Sequence, residues 1–242
     1  MFIDAHAHLD SCENAEKVVK RAKLAGARAI VTSGYSLEGS RKALELSVRF
    51  RGYVFPVIGI SPQDAMGLDE EELRRQVSWV GENLNRAKGV GEIGLDFHWA
   101  KSKEEIERQY SAFDAQLALA RSKSLPVTVH SRAAEREVLD VLEQQGMKRA
   151  HLHFFSGTPE LAVRAVKLGY AISIPPVASK GRERMLSAIP LSSLMLESDC
   201  PYVGKDPSAC LESASIIARA KGISIEEVLK TTAENAARFF GL

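Results

Sequence analysis

The chain has 242 residues, of which 45% are hydrophobic and 26% are charged, and both fractions are ordinary for a globular protein. Lys and Arg number 32 against 31 Asp and Glu, so the formal net charge is only +1. No overall positive field would therefore attract long nucleic acid, and any such substrate would have to be held locally. α/β barrels commonly occupy this length as one unit, and we expect residues 1–242 to form a single domain.

The cysteines, Cys12, Cys200 and Cys210, form no CxxC pair, and their odd number argues against a disulfide framework. Free thiols are typical of a reducing compartment. The first residues lack the basic start and apolar run of a signal peptide, and no apolar stretch approaches the length that spans a bilayer. We therefore expect a cytoplasmic protein without a membrane partner, and no obligate protein partner is indicated.

Short apolar runs alternate with longer amphipathic segments along the chain. Eight runs are predicted strands: Phe2–Ala7, Ala27–Thr32, Tyr53–Gly59, Gly89–Leu95, Pro126–Ser131, Ala150–Phe154, Tyr170–Ile174 and Leu194–Ser198. Nine segments are predicted helices: Glu16–Ala25, Leu37–Phe50, Glu70–Asn85, Lys103–Ser122, Ala134–Gln145, Pro159–Leu168, Gly181–Ala188, Pro207–Ala220 and Ile225–Phe240. Eight strand–helix units with short connections indicate a parallel sheet closed into a (β/α)8 TIM barrel.

Several predicted helices carry signals at their ends. Asp69 precedes an acidic first turn, and Ser102 with Glu105 three residues later fits a capping box. Gly26 and Gly169 stand where helices should end before a strand. The alternative architecture, an open doubly wound sheet, would usually carry a glycine-rich phosphate loop after the first strand, and this chain lacks one there.

Polar residues recur where the predicted strands end, which is the active-site face of such barrels. Alternate residues of a strand share a face, so Asp4, His6 and His8 should project together, and the two imidazoles can chelate one ion. Two solvated histidines in a frayed terminus are the alternative. Similar groups follow four other strands: Glu92 and Asp96, His130 and Arg132, His151 and His153, Glu197 and Asp199. Four histidines and two carboxylates exceed what one zinc requires, so two ions bridged by a carboxylate are predicted.

Five motifs, in order over nearly the whole chain, resemble those of the TatD family of metal-dependent deoxyribonucleases. They are Asp4-Ala5-His6-Ala7-His8-Leu9, Gly91-Glu92-Ile93-Gly94-Leu95-Asp96, Val129-His130-Ser131-Arg132, His153-Phe154-Phe155-Ser156-Gly157 and Leu196-Glu197-Ser198-Asp199-Cys200-Pro201-Tyr202. Each motif alone is weak to moderate, but the ordered set is specific. The resemblance implies a (β/α)8 barrel of the amidohydrolase type and hydrolysis of phosphodiester bonds in DNA.

The resemblance also implies a ligand set. His6 and His8 would hold a first ion. Glu92 would bridge this ion to a second one, which His130 and His153 would hold. We expect two divalent ions per chain, zinc, manganese or magnesium, and the imidazole ligands favour a transition metal because magnesium prefers oxygen.

Two further residues receive roles in the chemistry. Asp199 matches the family's aspartate beside the first ion and the attacking water, so we predict that it is a ligand and, with Glu92, a catalytic residue. Arg132 lies two residues past His130 and should point toward the same mouth. Its guanidinium can bind phosphate through two parallel hydrogen bonds, and a structural salt bridge is the alternative.

The remaining polar residues are ambiguous. His151 and His153 share a face, so only the resemblance selects His153 as a ligand, and His151 is interpreted as a packed residue or as one that orients a ligand. Glu197 shares a face with Asp199, and we expect it to orient a histidine or an arginine. His98 is either a substrate contact or an ordinary loop histidine.

One position departs from the family pattern. The family usually carries Gly-Ile-His-Pro after the third strand, whereas this chain reads Gly59-Ile60-Ser61-Pro62. We expect Ser61 to face the active-site mouth as a substrate-binding residue. The substitution should change substrate choice and rate while leaving the metal ligands intact.

These observations predict a divalent-metal-dependent hydrolase that cleaves phosphodiester bonds, a DNase acting on DNA strand ends or oligonucleotides through an activated water. The alternative is an amidohydrolase-type enzyme that splits a C–N or ester bond of a small molecule, because the fold alone does not distinguish the two. Many such relatives bridge their ions with a carboxylated lysine, and no lysine stands at the corresponding strand end. A non-catalytic, metal-stabilised protein is the third alternative.

Overall fold

The computed structural model describes residues 1–242, and its centre is a closed barrel of eight parallel strands in chain order. The strands are β1 (Phe2–Ala7), β2 (Ala27–Ser33), β3 (Val54–Ile58), β4 (Gly89–Gly94), β5 (Val127–His130), β6 (Ala150–Leu152), β7 (Ala171–Ile174) and β8 (Leu194–Leu196). Strand β8 pairs with β1 through Leu196 and Asp4, which closes the barrel. The predicted (β/α)8 fold is confirmed.

Ten α-helices connect the strands and complete the chain. They are α1 (Ala15–Leu24), α2 (Leu37–Arg49), α3 (Pro62–Ala65), α4 (Glu70–Asn83), α5 (Lys103–Ser122), α6 (Glu135–Gln144), α7 (Pro159–Lys167), α8 (Lys180–Ala188), α9 (Cys210–Lys221) and α10 (Ile225–Phe240). Four 3₁₀ turns lie at Leu9–Ser11, Leu84–Arg86, Leu191–Ser193 and Pro207–Ala209. None of the helices combines the length and apolar character needed to cross a membrane.

The predicted helix ends are largely confirmed. Asp69 accepts a hydrogen bond from the backbone of Glu72, and Ser102 and Glu105 form the complete capping box of α5. The short helix α3 was not predicted, because its four residues are too few to show a helical period.

Strands β6 and β8 end two residues earlier than predicted. Phe154 and Asp199 adopt left-handed backbone conformations, with φ of 46° and 48°, and a strand cannot continue through that region. The chain therefore turns at these points, and His153 and Asp199 lie in the connections that follow the strands.

The apolar core has two parts. The larger cluster contains 50 buried residues from the strands and the surrounding helices. The smaller cluster joins strands β1, β2, β3 and β8 to the end of α10 and consists of Ile3, Ala5, Ala29, Val31, Val57, Met195, Ala236 and Phe240. Val31 and Met195 lie on the same strand faces as Ser33 and Glu197, which contact the polar site described below. The smaller cluster is thus an apolar layer of side chains next to that site.

Candidate metal centre

The carboxyl ends of β1, β4, β5, β6 and β8 converge on one polar cluster at the mouth of the barrel. The structure brings together all six predicted ligands: His6, His8, Glu92, His130, His153 and Asp199. Five of them are at least 92% buried, and only His130 is partly exposed. Charged groups at this depth require a partner, and the cluster contains no lysine or arginine to supply one.

A first ligand group is formed by His6, His8 and Asp199. The two Nε2 atoms of the histidines lie 3.1 Å apart, and Asp199 Oδ1 is 3.7 Å and 3.4 Å from them. Atoms that bind one tetrahedral zinc ion at 2.0–2.1 Å are about 3.4 Å apart. The spacing of this group therefore fits one ion.

A second ligand group is formed by Glu92, His130 and His153. Glu92 Oε1 lies 2.9 Å from His130 Nδ1 and 3.0 Å from His153 Nε2. The other carboxylate oxygen, Oε2, is 3.5 Å from His6 Nε2 and 3.4 Å from His8 Nε2. Glu92 thus presents one oxygen to each group, and its Oε2 atom is buried without any hydrogen-bond donor. A cation bound at each ligand group would give both oxygens of Glu92 a partner, including the unsatisfied Oε2, so the donor set fits a pair of cations.

The remaining ring nitrogens are held by neighbours that fix which atom faces the cluster. His8 Nδ1 donates to the backbone oxygen of Ser33 at 3.0 Å, and the Ser33 hydroxyl lies 3.2 Å from His6 Nδ1. His130 Nε2 donates to Asp96 Oδ2 at 2.8 Å. Hydrogen bonds of this kind orient metal-binding imidazoles. These roles of Ser33 and Asp96 were not predicted, and in the sequence only their position at strand ends indicates them.

The charges of the cluster perturb the pKa values of its members. Burial disfavours the charged form of His8, but its hydrogen bond with Asp199 and the charge of Glu92 outweigh burial and raise the pKa of His8 to about 9. The pKa of His130 rises to about 9 in the same way, through Asp96 and Glu92. Burial and the neighbouring His153 lower the pKa of His6 to about 4. The cluster therefore attracts positive charge, and cations would compete with protons for it.

Asp199 is held by its own backbone. Its amide donates to the carbonyl of His6 at 3.0 Å, which ties the connection after β8 to β1. Burial alone would raise the pKa of Asp199, but the hydrogen bond with His8 and the nearby imidazoles hold it below its usual value. The carboxylate is therefore ionised and able to accept a proton.

Asp4 does not join the ligands, contrary to the alternation expected for β1. The pairing of β1 with β2 shifts register between Asp4 and Ala7, so the alternation is interrupted. The carboxylate of Asp4 accepts hydrogen bonds from the Ser198 backbone at 3.0 Å and from the Ser198 hydroxyl at 2.6 Å. Asp4 thus ties the first strand to the last.

His151 and Glu197 lie deeper than the ligands. His151 Nε2 is 2.6 Å from the hydroxyl of Ser173, and its ring packs against Phe240, so it is a packed residue of the barrel interior. Glu197 accepts hydrogen bonds from that same hydroxyl and from the backbone of Phe154. Its Oε2 atom lies 3.9 Å from Nδ1 of His153, which is buried without a hydrogen-bond partner. Of the two expected roles of Glu197, its position fits the one beside a histidine.

A cavity of about 350 Å³ opens over the cluster. It is lined by His130, Ser131, Arg132, His153, Phe154, Ser156, Asp199, Tyr202 and Val203. Arg132 is exposed, and its guanidinium lies 5.8 Å from the ring centre of Trp99 without a carboxylate partner. The salt bridge considered as an alternative for Arg132 is therefore absent. His98 is exposed, with its ring against Trp99, and is not part of the cavity lining.

Ser61 does not line this cavity. It is fully buried, and its hydroxyl accepts the backbone N–H of Asp64, which caps helix α3. The next polar side chain, Gln63, reaches the site instead. Its Nε2 atom donates to Asp96 Oδ2 at 2.6 Å and lies 3.5 Å from His130 Nε2. The expectation that Ser61 faces the mouth is thus not met, because a helix N-cap requires its hydroxyl.

Comparison with known proteins gives concordant matches. The family model described as TatD related DNase matches residues 3–241. Deoxyribonuclease TATDN3 of Homo sapiens is 34% identical over 99% of this chain and 94% of the human protein. The 3′–5′ ssDNA/RNA exonuclease TatD of Pantoea ananatis is 29% identical over 94% of this chain and 93% of that protein.

The solved structures agree with these matches. The crystal structure of YJJV, a TatD homologue from Escherichia coli, superposes with a TM-score of 0.89 at 27% identity and covers 100% of this chain and 98% of that chain. The resemblance inferred from the five motifs is confirmed, and with it the predicted enzyme class, a metal-dependent hydrolase of the TatD deoxyribonuclease type.

Proposed function

Because this chain belongs to the TatD related DNase family, we propose that it is a deoxyribonuclease that removes nucleotides from DNA strand ends or short oligonucleotides with two divalent ions. The observation that carries this proposal is the position of Glu92, which offers one carboxylate oxygen to each ligand group. Two ions held in this way form the clamp typical of phosphodiester hydrolysis. The similarity to a 3′–5′ exonuclease supports action at strand ends.

The two ions, when bound, would lower the pKa of a water molecule and neutralise negative charge on the substrate. The chain's own residues complete the chemistry. Asp199, ionised and at the edge of the cavity, would align the attacking water and accept its proton. Arg132 would donate two hydrogen bonds to the non-bridging phosphate oxygens, where charge grows during the reaction. Imidazole donors outnumber carboxylates in the cluster, which favours zinc or manganese over magnesium.

The test begins with removal of all metal by a chelator, followed by reloading with manganese, zinc or magnesium. We expect elemental analysis to find two ions per chain in the wild type. We also expect release of mononucleotides from linear single-stranded DNA and little cleavage of the same sequence closed into a circle.

Glu92→Gln is the matched variant, because it keeps the size of the side chain and removes the charge that both groups share. It should lose ions and activity together, whereas Glu234→Gln on the exposed face of α10 should lose neither. A stoichiometry of one ion under metal excess would refute the bridged centre. Faster hydrolysis of amides than of phosphodiesters with the same metal would refute the proposed nuclease and favour the amidohydrolase alternative.

A further inference from the structure

The cavity carries an exposed aromatic ring that neither the metal centre nor the proposed chemistry uses. Tyr202 lies three residues after Asp199, and its side chain lines the same cavity while remaining 59% exposed. Exposure alone carries no meaning, because single apolar side chains are often exposed on protein surfaces. The position of Tyr202 is informative because its ring lines the cavity beside the candidate metal centre, and aromatic side chains in such cavities commonly contact the ligand.

The ring of Tyr202 is nevertheless held in place. Its hydroxyl donates to the Ser11 hydroxyl at 3.1 Å. The ring of His8 meets it in an edge-to-face contact, with 5.1 Å between the ring centres. The ring of Tyr35 is also a neighbour, with 6.3 Å between the ring centres and a tilt of 45°. These contacts fix the ring without covering it, so a ligand would meet a preorganised aromatic surface.

Arg132 and Tyr202 offer the cavity two kinds of contact that a nucleotide can use, a cation for its phosphate and an aromatic ring for its base. Arg132 lines the cavity with a guanidinium that has no carboxylate partner and lies 5.8 Å from the ring centre of Trp99. Tyr202 lies in a different connection, the one after β8, which also carries Asp199, and both residues line the same cavity. A nucleotide whose phosphodiester is held at Asp199 and Arg132 would therefore share this cavity with the ring of Tyr202.

We propose that Tyr202 is the platform on which the base of the nucleotide beside the scissile phosphate stacks, which selects nucleotides over phosphodiesters that lack a base. This inference rests on the proposed nuclease function. Stacking is tolerant of sequence, because every base has an aromatic face.

The experiment compares two small phosphodiesters that both release p-nitrophenolate, so that one absorbance assay measures both rates. The first is thymidine 5′-(p-nitrophenyl phosphate), and the second is the same ester with hydrogen in place of the base. The manganese-loaded wild type should hydrolyse the first with a kcat/KM about tenfold higher, a typical effect of one base–aromatic contact. Tyr202→Ala should lose this preference mainly through a higher KM for the base-bearing ester. Tyr202→Phe keeps the ring and should retain the preference.

A second readout does not depend on turnover. Thymidine 5′-monophosphate should bind about tenfold more weakly to manganese-loaded Tyr202→Ala than to the wild type in a calorimetric titration, while deoxyribose 5-phosphate should bind both equally. Val48→Ala, at an exposed apolar side chain on α2, is the control and should behave as the wild type in both assays.

The outcomes separate this inference from the function on which it rests. Hydrolysis of both esters at equal rates by the wild type, or a preference that persists in Tyr202→Ala, would overturn the stacking role and leave the nuclease intact. Failure of the loaded wild type to hydrolyse either ester would overturn both.

Discussion

Asp199 combines an unusual backbone conformation with a position beside two histidines of the cluster. Its φ of 48° lies in the left-handed region, which Asp and Asn tolerate better than other residues that carry a Cβ atom. The turn at this residue directs the carboxylate back toward His6 and His8. Asparagine is therefore the substitution that removes the negative charge while keeping both the turn and one oxygen.

For Asp199→Asn we expect hydrolysis to fall by about 10² to 10⁴, the usual effect of losing a general base, while at least one ion remains bound. The measurement combines kcat on an oligonucleotide end with elemental analysis of the same sample. Asp114→Asn, an exposed aspartate on α5, is the control. Near-normal turnover in Asp199→Asn would remove the aspartate from the chemistry.

Glu197 illustrates how a buried residue can act on an ion that it does not touch. If His153 binds an ion through Nε2, its Nδ1 carries a hydrogen, and in this structure that nitrogen has no partner. Glu197 Oε2 lies 3.9 Å from this nitrogen. Glu197 is fully buried, and burial together with the negative charge of Asp199 raises its pKa well above the usual value.

We predict that Glu197→Gln weakens the binding of one of the two ions by about 10-fold to 100-fold, as is typical when an orienting partner of a ligand is removed. The amide can still accept the backbone N–H of Phe154, so the metal-free protein should fold. Competition with a chromophoric chelator measures the two affinities. Equal weakening of both ions, or of neither, would show that Glu197 does not act through His153.

At the scale of secondary structure, helix α5 supports two loops of the site with two buried glutamines. Gln109 bonds to the backbone N and O of Asp96, at 2.7 Å and 3.0 Å, and Gln116 makes the same pair of bonds to Ile60. The two glutamines are seven residues apart, which places them on one face of the helix. One helix thus aligns the connections after β3 and β4, which carry Gln63 and Asp96.

Replacing Gln116 with leucine should destabilise the protein by about 2–3 kcal/mol, because it leaves the buried N–H and C=O of Ile60 without partners. Urea unfolding followed by circular dichroism measures this change. Gln144→Leu, at an exposed position of α6, should change stability by less than about 0.5 kcal/mol. If the two variants unfold alike, the paired hydrogen bonds of Gln116 do not stabilise the loop.

For the whole molecule, the eight strands were predicted correctly, because each follows from a local apolar run. The six ligands stay a prediction, which rests on polar residues at strand ends and on the ordered motifs, and the structure brings these residues into one cluster. Features that depend on contacts between distant segments were missed. Ser33, at the end of β2, contacts His6 of β1 and His8 just after β1. Gln63, after β3, donates a hydrogen bond to Asp96, after β4. No local pattern encodes such pairs. The burial of Ser61 was missed for a related reason, because the cap it forms belongs to a helix of only four residues.

The arrangement of the ligands predicts how the ions affect the stability of the whole barrel. The six residues come from five of the eight strands or the connections that follow them, and these strands include β1 and β8, which pair to close the barrel. An unfolded chain would present them far apart, so the ions should bind the folded state almost exclusively. An ion at 100 times its dissociation constant then adds about 2.7 kcal/mol to the free energy of unfolding.

For a domain of this size, 1 kcal/mol corresponds to about 2–4 °C in Tm, so each ion at that concentration should raise Tm by about 5–11 °C. Calorimetric scans of chelator-treated and manganese-loaded protein measure the difference. Glu92→Gln should abolish most of the shift, whereas His98→Ala, which leaves every ligand in place, should keep it. Equal Tm values for the metal-free and metal-loaded wild type would show that the cluster binds no ion. That result would refute the proposed metal-dependent hydrolysis, because the reaction requires bound ions.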